Sequence, residues 1–314
     1  MNRKEFIKAI GGGSLALTLA PNLVFAGQNK LLGENTAHKL TILHTNDQHS
    51  RIEPFDSSYS RNPNQGGFAR RATLIQQIRE QENNVLLLDS GDIFQGTPYF
   101  NFYGGELEFK LMSMMGYDAS TMGNHDFDNG LEGFLKVLPN AKFPFICSNY
   151  DFKNTVLDGQ TIPYKIFKKD GIKVGIFGVG IKLDGLVGKK NYKETVYQDP
   201  VEIAQHYADF LKKEKKCDLV ICLSHIGYDY KEDNISDKKL AAKTDNIDLI
   251  LGGHTHTFLP EPQTFTNKSG KNVLVNQVGW AGLLLGRIDF YFDKNKTVQN
   301  ISWDNQVIDE SILG

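Results

Sequence analysis

The chain has 314 residues, of which 40% are hydrophobic and 23% are charged. These values suit one large globular domain or two small ones, and the net charge of −2 argues against a nucleic-acid polymer or an anionic membrane surface as partner. Three cysteines, Cys147, Cys217 and Cys222, lie in or beside apolar runs without a metal-type spacing, so we expect buried free thiols and no disulfide framework.

Residues 1–26 have the pattern of an export signal. The basic residues Arg3 and Lys4 precede a Gly-rich, mildly apolar stretch that closes at Ala26 in a small-residue cleavage site. This stretch is shorter than the ~20 residues that a membrane-spanning helix needs, and Pro21 interrupts it. We therefore expect no transmembrane segment in the mature chain.

The segment "NRKEFIK" resembles a twin-arginine export signal in which Lys4 replaces the second arginine. The general secretory route and an uncleaved N-terminal anchor remain open. Either export route predicts a periplasmic or extracellular protein. We expect residues 27–38 to form a polar linker and residues 39–314 to form one domain without internal repeats.

From residue 39 onward, short apolar runs alternate with helical patterns, which is typical of an α/β fold. Residues 66–82 and 200–216 carry apolar side chains at helical spacing and predict two helices. Gly171 lies between two strand-like runs and predicts a hairpin, whereas the C-terminal part predicts mainly antiparallel strands. The predicted strands are residues 39–43, 84–89, 119–122, 143–148, 164–169, 173–181, 218–224, 247–253, 272–279, 285–294 and 301–309.

Side chains that bind metals or protons follow five of the predicted strands, at the point where each strand ends. The carboxyl ends of strands in an open α/β sheet meet at one edge, where ligands bind, so we expect these side chains to lie close together. Five of the eight histidines of the chain fall at these positions. The candidate residues are Asp47, His49, Asp92, Asn124, His125, Asp128, His225, His254 and His256.

Seven of these residues are typical ligands of divalent cations. Seven donors exceed the about four to six that one such ion commonly accepts, but they suit two ions spaced roughly 3.5–4 Å apart and joined by a shared carboxylate. The absence of cysteine argues against a structural zinc site, and imidazole with carboxylate admits Zn, Mn, Fe, Co or Ni. The predicted ligands are Asp47, His49, Asp92, Asn124, His225, His254 and His256.

A pair of divalent ions predicts phosphoryl chemistry. Two such ions can hold a bridging hydroxide for in-line attack on phosphorus and can neutralise charge on the phosphoryl oxygens. His125, adjacent to Asn124, can stabilise the leaving oxygen, and Asp128 can keep that imidazole oriented and protonated. We therefore predict that His125 and Asp128 act as a catalytic pair.

Several motifs, taken together in their order, resemble the calcineurin-like metallophosphoesterases, and within them the catalytic domain of the 5'-nucleotidase group. The resemblance extends from about residue 40 to residue 292. It implies a four-layer α/β/β/α sandwich of two mixed sheets and a metal-dependent phosphoric ester hydrolase of nucleotide catabolism. The motifs are "ILHTNDQHSR", "GGFARRAT", "LLLDSGDIFQGTPYF", "MMGYDASTMGNHDFDNG", "LSHIGY", "LILGGHTHTFLPEP" and "VNQVGWAGLLLGRIDF".

The same resemblance implies a role for each candidate residue. One ion would be held by Asp47, His49, Asp92 and His256, and the other by Asp92, Asn124, His225 and His254, so that Asp92 bridges them. His125 with Asp128 matches the catalytic dyad of the family. Some nucleotidases have glutamine at the position of His256, whereas other members have histidine.

The resemblance does not extend to a substrate domain. Two-domain 5'-nucleotidases follow the metal domain with a second domain that binds the base and the phosphate, and this sequence stops at Gly314. Nucleotide specificity is therefore expected by analogy alone. Three possibilities stay open. The domain could act alone on phosphate esters, or a separate chain could supply the substrate domain. Alternatively, a different substrate could enter an open metal cleft.

The main expectation is an exported dinuclear-metal phosphohydrolase whose substrate is a small phosphate ester, a 5'-nucleotide-type phosphomonoester. Alternatives within the same chemistry are a 2',3'-cyclic-nucleotide or UDP-sugar phosphodiesterase and, more remotely, a thiosulfate-releasing hydrolase. An alternative of another class is a non-catalytic metal-binding subunit that docks a separate substrate-domain chain. The intact pair of His125 and Asp128 argues against that alternative, because docking does not need it.

Other residues have mainly structural interpretations. We expect His44 to be a hydrogen-bonded structural histidine, Asp126 to face solvent from a loop, and His206 to be solvated on a helix. Arg70, at the start of the first predicted helix, is placed where it can reach the site. The aromatic segment "GTPYFNFYGG" predicts wall packing and substrate contact equally well.

Overall fold

Two six-stranded sheets pack face to face in the computed structural model, which describes residues 36–312. A separate pair of short strands, β4 and β7, lies outside both sheets. The strands are β1 (His38–Thr45), β2 (Val85–Asp89), β3 (Ala119–Ser120), β4 (Tyr150–Asp151), β5 (Tyr164–Lys169), β6 (Ile172–Gly180), β7 (Val196–Tyr197), β8 (Leu219–His225), β9 (Leu249–Leu251), β10 (Gln263–Thr266), β11 (Asn272–Asn276), β12 (Leu284–Phe292), β13 (Val298–Trp303) and β14 (Gln306–Val307).

Helices and short 3₁₀ turns connect the strands. The α-helices are α1 (Phe68–Gln81), α2 (Pro98–Tyr103), α3 (Glu106–Met115), α4 (Gly130–Val137), α5 (Lys189–Tyr192), α6 (Pro200–Asp209) and α7 (Asp237–Lys243). A π-helical turn, Phe210–Glu214, extends α6, and 3₁₀ turns cover His125–Phe127, Leu138–Asn140 and Glu310–Ile312. At the start of α6, the Asp199 side chain accepts the N–H groups of Val201 and Glu202, which satisfies donors that a helix end otherwise leaves unpaired.

Each sheet combines parallel and antiparallel strands. The first sheet has the order β13-β12-β1-β2-β3, with β14 beside β12, and its β1, β2 and β3 run parallel. The second sheet has the order β10-β11-β9-β8-β6-β5, with β11, β9, β8 and β6 parallel. The strands β5 and β6 form the hairpin predicted at Gly171.

Three clusters of buried apolar side chains show the order of the layers. The central cluster joins the inner faces of the sheets, where Ile42 and Leu88 of the first sheet pack with Ile176 and Ile221 of the second. A second cluster lies between the first sheet and α1, α3 and α4, and a third lies between the second sheet and α6 and α7. Each buried Leu or Ile contributes about 1.5–3 kcal/mol. The predicted α/β/β/α sandwich is confirmed.

The prediction of a strand over residues 143–148 is wrong. Within this segment the structure forms only isolated bridges, from Phe145 to Ser120 and from Ile146 to Ile162. Pro144 has no N–H to donate to a ladder, so the apolar run cannot continue as a regular paired strand. His38, predicted to lie in the linker, is instead the first residue of β1.

The predicted export signal over residues 1–26, and residues 27–35 of the predicted linker, lie outside the described residues. Within residues 36–312, the helices lack the length and apolar character needed to cross a bilayer. Cys147, Cys217 and Cys222 are free and buried, as predicted.

One polar contact crosses the apolar layer between the two sheets. His44 on β1 accepts through Nε2 a hydrogen bond from Nδ2 of Asn276 on β11, at 2.8 Å, and both side chains are fully buried. Burial lowers the pKa of His44 from 6.5 to about 3. The predicted structural role of His44 is therefore confirmed.

We expect His44 to make the folded state sensitive to acid. Its folded pKa lies below its unfolded value, so the unfolded chain binds more protons between pH 6.5 and about 3, and stability falls as the pH falls through this window. On acidification from pH 7.5 to 5.0, the neutral state of His44 should lower the free energy of unfolding by about 2 kcal/mol. Urea denaturation at both pH values should show a smaller loss in His44→Gln than in the wild type.

The matched control is His206→Gln, on the outer helix α6, which should keep the wild-type dependence on pH. If His44→Gln loses as much stability on acidification as the wild type, the buried neutral histidine is not the cause.

Candidate metal centre

The predicted ligands gather at one edge of the sandwich. Because β1, β2 and β3 run parallel in one sheet, and β8 and β9 run parallel in the other, the loops after them meet at their carboxyl ends. All seven predicted ligands lie in these loops or at the last residue of a strand: Asp47 and His49 after β1, Asp92 after β2, Asn124 after β3, His225 at the end of β8, and His254 and His256 after β9.

The first group of possible ligands consists of Asp47, His49 and His256. Ligand atoms of these residues lie within 4.8 Å of one another. The Nε2 atoms of His49 and His256 are 2.9 Å apart, and Asp47 Oδ1 lies 3.4 Å from His256 Nε2. The Asp47 side chain is fully buried, whereas 37% of the His256 side chain is exposed.

The second group consists of Asp92, His225 and His254, whose ligand atoms also lie within 4.8 Å of one another. Asp92 Oδ2 is 3.1 Å from His225 Nε2. Asn124 adjoins this group, because its Oδ1 atom lies 2.8 Å from His254 Nδ1. The buried His225 donates its Nδ1 hydrogen to the carbonyl oxygen of Ser90, at 2.6 Å.

The two groups adjoin through their carboxylates. Asp92 Oδ2 lies 3.9 Å from His49 Nε2 of the first group, and Asp47 Oδ1 lies 3.9 Å from His225 Nε2 of the second. The backbone N–H of His254 donates to both carboxylate oxygens of Asp47, at 3.0 Å each. This placement fits the hypothesis that Asp92 bridges two ions, and the bridge itself stays a prediction.

The donor atoms have the chemistry that divalent cations require. Burial lowers the pKa of His49 and, foremost among several causes, lowers that of His254 to about 4, so both imidazoles are neutral at pH 7 and offer a lone pair. His225 Nε2 is buried and makes no hydrogen bond of acceptable geometry among residues 36–312. Burial opposes a charge on His225, but Asp92, Asp47 and the carbonyl oxygen of Ser90 together outweigh burial and raise the pKa of His225 to about 10. A bound cation would replace that proton.

Local backbone geometry turns the ligands toward one another. Five of the seven predicted ligands have φ between 48° and 71°, in the left-handed region that non-glycine residues rarely adopt. Such conformations cost about 1–3 kcal/mol each and persist where the surrounding structure enforces them, often at functional sites. The five residues are Asp47, His49, Asp92, His254 and His256.

Two glycines leave room for the ligands. A Cβ atom at Gly123 would overlap the carboxylate of Asp92 and would lie 2.6 Å from Cε1 of His225. A Cβ atom at Gly253 would lie 2.8 Å from Nδ1 of His225. Any larger residue at these positions would displace the second group.

The predicted catalytic pair borders both groups. His125 Nδ1 lies 2.7 Å from Asp128 Oδ2, and the hydrogen bond to Asp128 raises the pKa of His125 despite partial burial. The backbone N–H of His125 donates to Asp92 Oδ1 at 2.7 Å, and its ring centroid is 5.3 Å from that of His49. The imidazole is 37% exposed, so it can meet a ligand that enters from solvent.

The expectation for Asp126 is wrong, because its side chain faces the interior. It is fully buried and accepts the backbone N–H groups of Asp92, Ile93, Phe94 and Gly123 at 2.8–3.3 Å. Burial and the charge of Asp92 raise the pKa of Asp126 to about 7. Asp126 thus holds the loop that carries Asp92. The 3₁₀ turn His125–Phe127 directs its side chain inward, and hydrophobic periodicity does not predict that direction.

Other residues that the sequence singled out do not join the two groups. Arg70 donates to the carbonyl oxygen of Asn64. The aromatic segment forms α2, where Phe100 packs against the core but Phe102 is 83% exposed. His206 lies on α6, on the outer face of the second sheet.

Two residues beside the first group were not predicted. Gln277 accepts the N–H of Thr257 and donates to the carbonyl oxygen of Gly253 at 2.7 Å, so it holds the loop that carries His254 and His256. The Trp280 ring lies parallel to that of His256. Both residues belong to the quoted motif "VNQVGWAGLLLGRIDF", but no spacing rule links them to histidines in another loop.

Comparisons with known proteins show the family and the fold to which the chain is similar. The family model described as calcineurin-like phosphoesterase matches residues 40–258. The snake venom 5'-nucleotidase of Naja atra is 36% identical over 295 residues. Among solved structures, the 5'-nucleotidase precursor of Thermus thermophilus has a TM-score of 0.79 and 31% identity, over 88% of this chain and 55% of that one. The calcineurin-like phosphoesterase YfkN of Bacillus subtilis has a TM-score of 0.70 and 27% identity, over 87% of this chain and 94% of that one.

The similarity to the curated relatives covers only part of each of them. The alignment with the Naja atra protein includes 87% of this chain but 54% of the relative. The chain therefore spans about half the length of the curated relatives it matches.

We expect Gly123→Ala to weaken metal binding, because the new Cβ atom displaces the Asp92 carboxylate and the His225 ring. Loss of roughly tenfold or more in affinity is the expected scale for displaced ligands. Metal content after dialysis, measured by atomic emission, tests this. Gly188→Ala is the matched control, since a Cβ atom there meets nothing within 4 Å and φ is −61°. Equal metal content in both variants would contradict the proposed positions of the ligands.

Proposed function

We propose that this chain, which belongs to the calcineurin-like phosphoesterase family, is a dinuclear-metal hydrolase of phosphomonoesters of the 5'-nucleotide type. The single observation that carries the proposal is the approach of the two ligand groups. Asp92 Oδ2 lies 3.1 Å from His225 in one group and 3.9 Å from His49 in the other, with the pair of His125 and Asp128 beside them.

Each metal would be held by one group. Asp47, His49 and His256 would bind one ion, Asp92, Asn124, His225 and His254 would bind the other, and Asp92 would be shared. When bound, two divalent ions supply Lewis acidity toward phosphoryl oxygens and a water of lowered pKa. The family implies divalent metals but leaves their identity open, as does the set of imidazole and carboxylate ligands.

The His125 side chain would act on the leaving group. Its hydrogen bond to Asp128 favours the protonated imidazole, which can stabilise negative charge on the leaving oxygen and donate a proton to it. Asp128 would fix the orientation of the ring, and it is held in turn because Asn191 donates to its backbone carbonyl at 3.1 Å. A charged, oriented donor at a partly exposed position suits the departure of an alcohol into solvent.

The names of relatives support a nucleotide phosphate ester as substrate, since several are 5'-nucleotidases. A phosphodiesterase acting on 2',3'-cyclic nucleotides or UDP-sugars is a second candidate. One relative, 34% identical to this chain, is named a trifunctional nucleotide phosphoesterase of Bacillus subtilis, and that name admits more than one kind of nucleotide phosphate ester.

We expect His125→Ala to lower turnover by roughly 10²–10⁴-fold while the metal content stays at the wild-type level, because His125 is not a predicted ligand. The assay offers 5'-mononucleotides, 2',3'-cyclic nucleotides, UDP-glucose and an aryl phosphate to the Mn-loaded chain, with and without chelator. His206→Ala is the control and should retain full turnover.

The outcomes separate the candidate functions. Preferential turnover of cyclic nucleotides or UDP-glucose would favour the phosphodiesterase. Tight metal binding without turnover of any ester would favour the non-catalytic subunit that docks a separate substrate-domain chain. Wild-type turnover in His125→Ala would remove the catalytic role from the pair of His125 and Asp128.

We also propose that residues 1–26 direct export, with the metallophosphoesterase domain over residues 39–314. Support comes from the basic start, the short apolar stretch and the small-residue site at Ala26. Full-length chain expressed in a bacterium should appear in the periplasm or medium with its N-terminus at Gly27, as read by mass spectrometry. A cytoplasmic, unprocessed chain would contradict export.

A further inference from the structure

Three histidines, His49, His225 and His256, turn Nε2 toward other candidate ligands, and their rings are held in two different ways. His225 and His49 face the carbonyl oxygens of Ser90 and Phe94 through Nδ1, at 2.6 Å and 3.3 Å. Such a bond fixes both the tautomer and the ring plane of a ligand histidine. Among residues 36–312, the hydrogen bond found for His256 is instead the one through Nε2 to His49. The ring of His256 therefore needs another support.

Trp280 supplies that support through a parallel, offset stack. The two rings are 5° from parallel, with centroids 5.6 Å apart. Offset stacking of this kind contributes about 0.5–1.5 kcal/mol beyond the buried area. The support matters most for His256, because its side chain is 37% exposed whereas those of His49 and His225 are 7% and 0% exposed.

Trp280 is itself tied to the first group. The next residue, Ala281, donates its backbone N–H to the carbonyl oxygen of Asp47 at 2.7 Å. The rings of Trp280 and Phe55 meet in a T-shaped contact with centroids 5.8 Å apart, and Trp280 makes a second T-shaped contact with His49 at 6.5 Å. Backbone and ring thus hold Trp280 at a fixed distance from the residues that it supports.

We propose that Trp280 is a positioning residue that orients His256 and thereby sets the metal affinity of the first group, Asp47, His49 and His256. This inference rests on the proposed metal centre. Among residues 36–312, Trp280 makes ring contacts with His49 and His256 of the first group, whereas the ring contact of His225 and His254 in the second group is with each other. One of two bound equivalents of metal should therefore respond to Trp280 and the other should not.

The test is calorimetric titration of the chelator-treated full chain with Mn²⁺. Trp280→Ala should weaken one equivalent roughly 10–100-fold and leave the other unchanged, whereas Trp280→Phe, which keeps a stacking ring, should retain most of the affinity. Trp303→Phe, on the outer strand β13, is the matched control. Equal weakening of both equivalents would mean general damage to the fold and would overturn the proposal.

A double-mutant cycle separates positioning from packing. In a chain that already carries His256→Ala, adding Trp280→Ala should cause no further loss of affinity, because the ring to be oriented is gone. Additive losses would overturn the proposal.

Fluorescence quenching gives a second measurement. The chain has two tryptophans, so Trp303→Phe leaves Trp280 as the fluorophore. Bound Co²⁺ should quench the Trp280 fluorescence less after His256→Ala.

The result is distinguishable from failure of the proposed function. Two equivalents of bound metal without hydrolysis of any ester would remove the enzymatic proposal and leave the role of Trp280 standing. If hydrolysis is normal and Trp280→Ala leaves the metal affinity unchanged, only the proposed role of Trp280 is contradicted.

Discussion

The site depends on how the ends of three parallel strands in the first sheet are tied together and then to the second sheet. A buried carboxylate, Asp89, accepts the hydroxyl of Thr45 at 2.6 Å and that of Ser120 at 3.1 Å, so it links the ends of β1, β2 and β3. Its neighbour Ser90 then reaches the other sheet by donating to the carbonyl oxygen of Leu251 at 2.8 Å. These side-chain ties add to the backbone pairing of the strands and hold together the strand ends at which the loops with the candidate ligands begin.

Within that frame, the buried charges must compensate one another. Asp47 and Asp92 are almost inaccessible to water, and a buried carboxylate without a partner costs several kcal/mol. Burial opposes the charge of Asp92, but His225, His49 and His125 together outweigh it and lower the pKa of Asp92. The single backbone N–H of His254 is shared by both carboxylate oxygens of Asp47. The His225 imidazole, which compensates the charge of Asp92, presents the same Nε2 atom that would coordinate a cation. The left-handed backbone at five of the ligands shows that the surrounding structure enforces an arrangement that local preference opposes.

The proximity of the candidate ligands could be predicted from the sequence because the ends of strands can be recognised in it. Apolar runs followed at once by Asp, His or Asn identify the carboxyl ends of parallel strands, and topology then brings Asp47, His225 and His254 together without any knowledge of loop shape. The pattern of apolar and polar residues does not predict the conformation of the loops. Asp126 lies between His125 and Asp128 but faces the interior, because a 3₁₀ turn of three residues sets its direction. The segment around Pro144 has the composition of a strand, yet the missing N–H breaks its pairing.

The two ligand groups are unequal, and the inequality bears on how such a centre meets its substrate. In the second group the His225 side chain is inaccessible to solvent and donates to a backbone carbonyl oxygen. The ring therefore cannot turn without losing that hydrogen bond. In the first group His256 is partly exposed and held by a ring stack, an interaction that lacks the directionality of a hydrogen bond. His256 therefore has less directional support than His225, at a position that is partly open to solvent. A ligand that reaches His256 from solvent would meet this less directional support first, while the backbone N–H of His125 holds the Asp92 carboxylate in place.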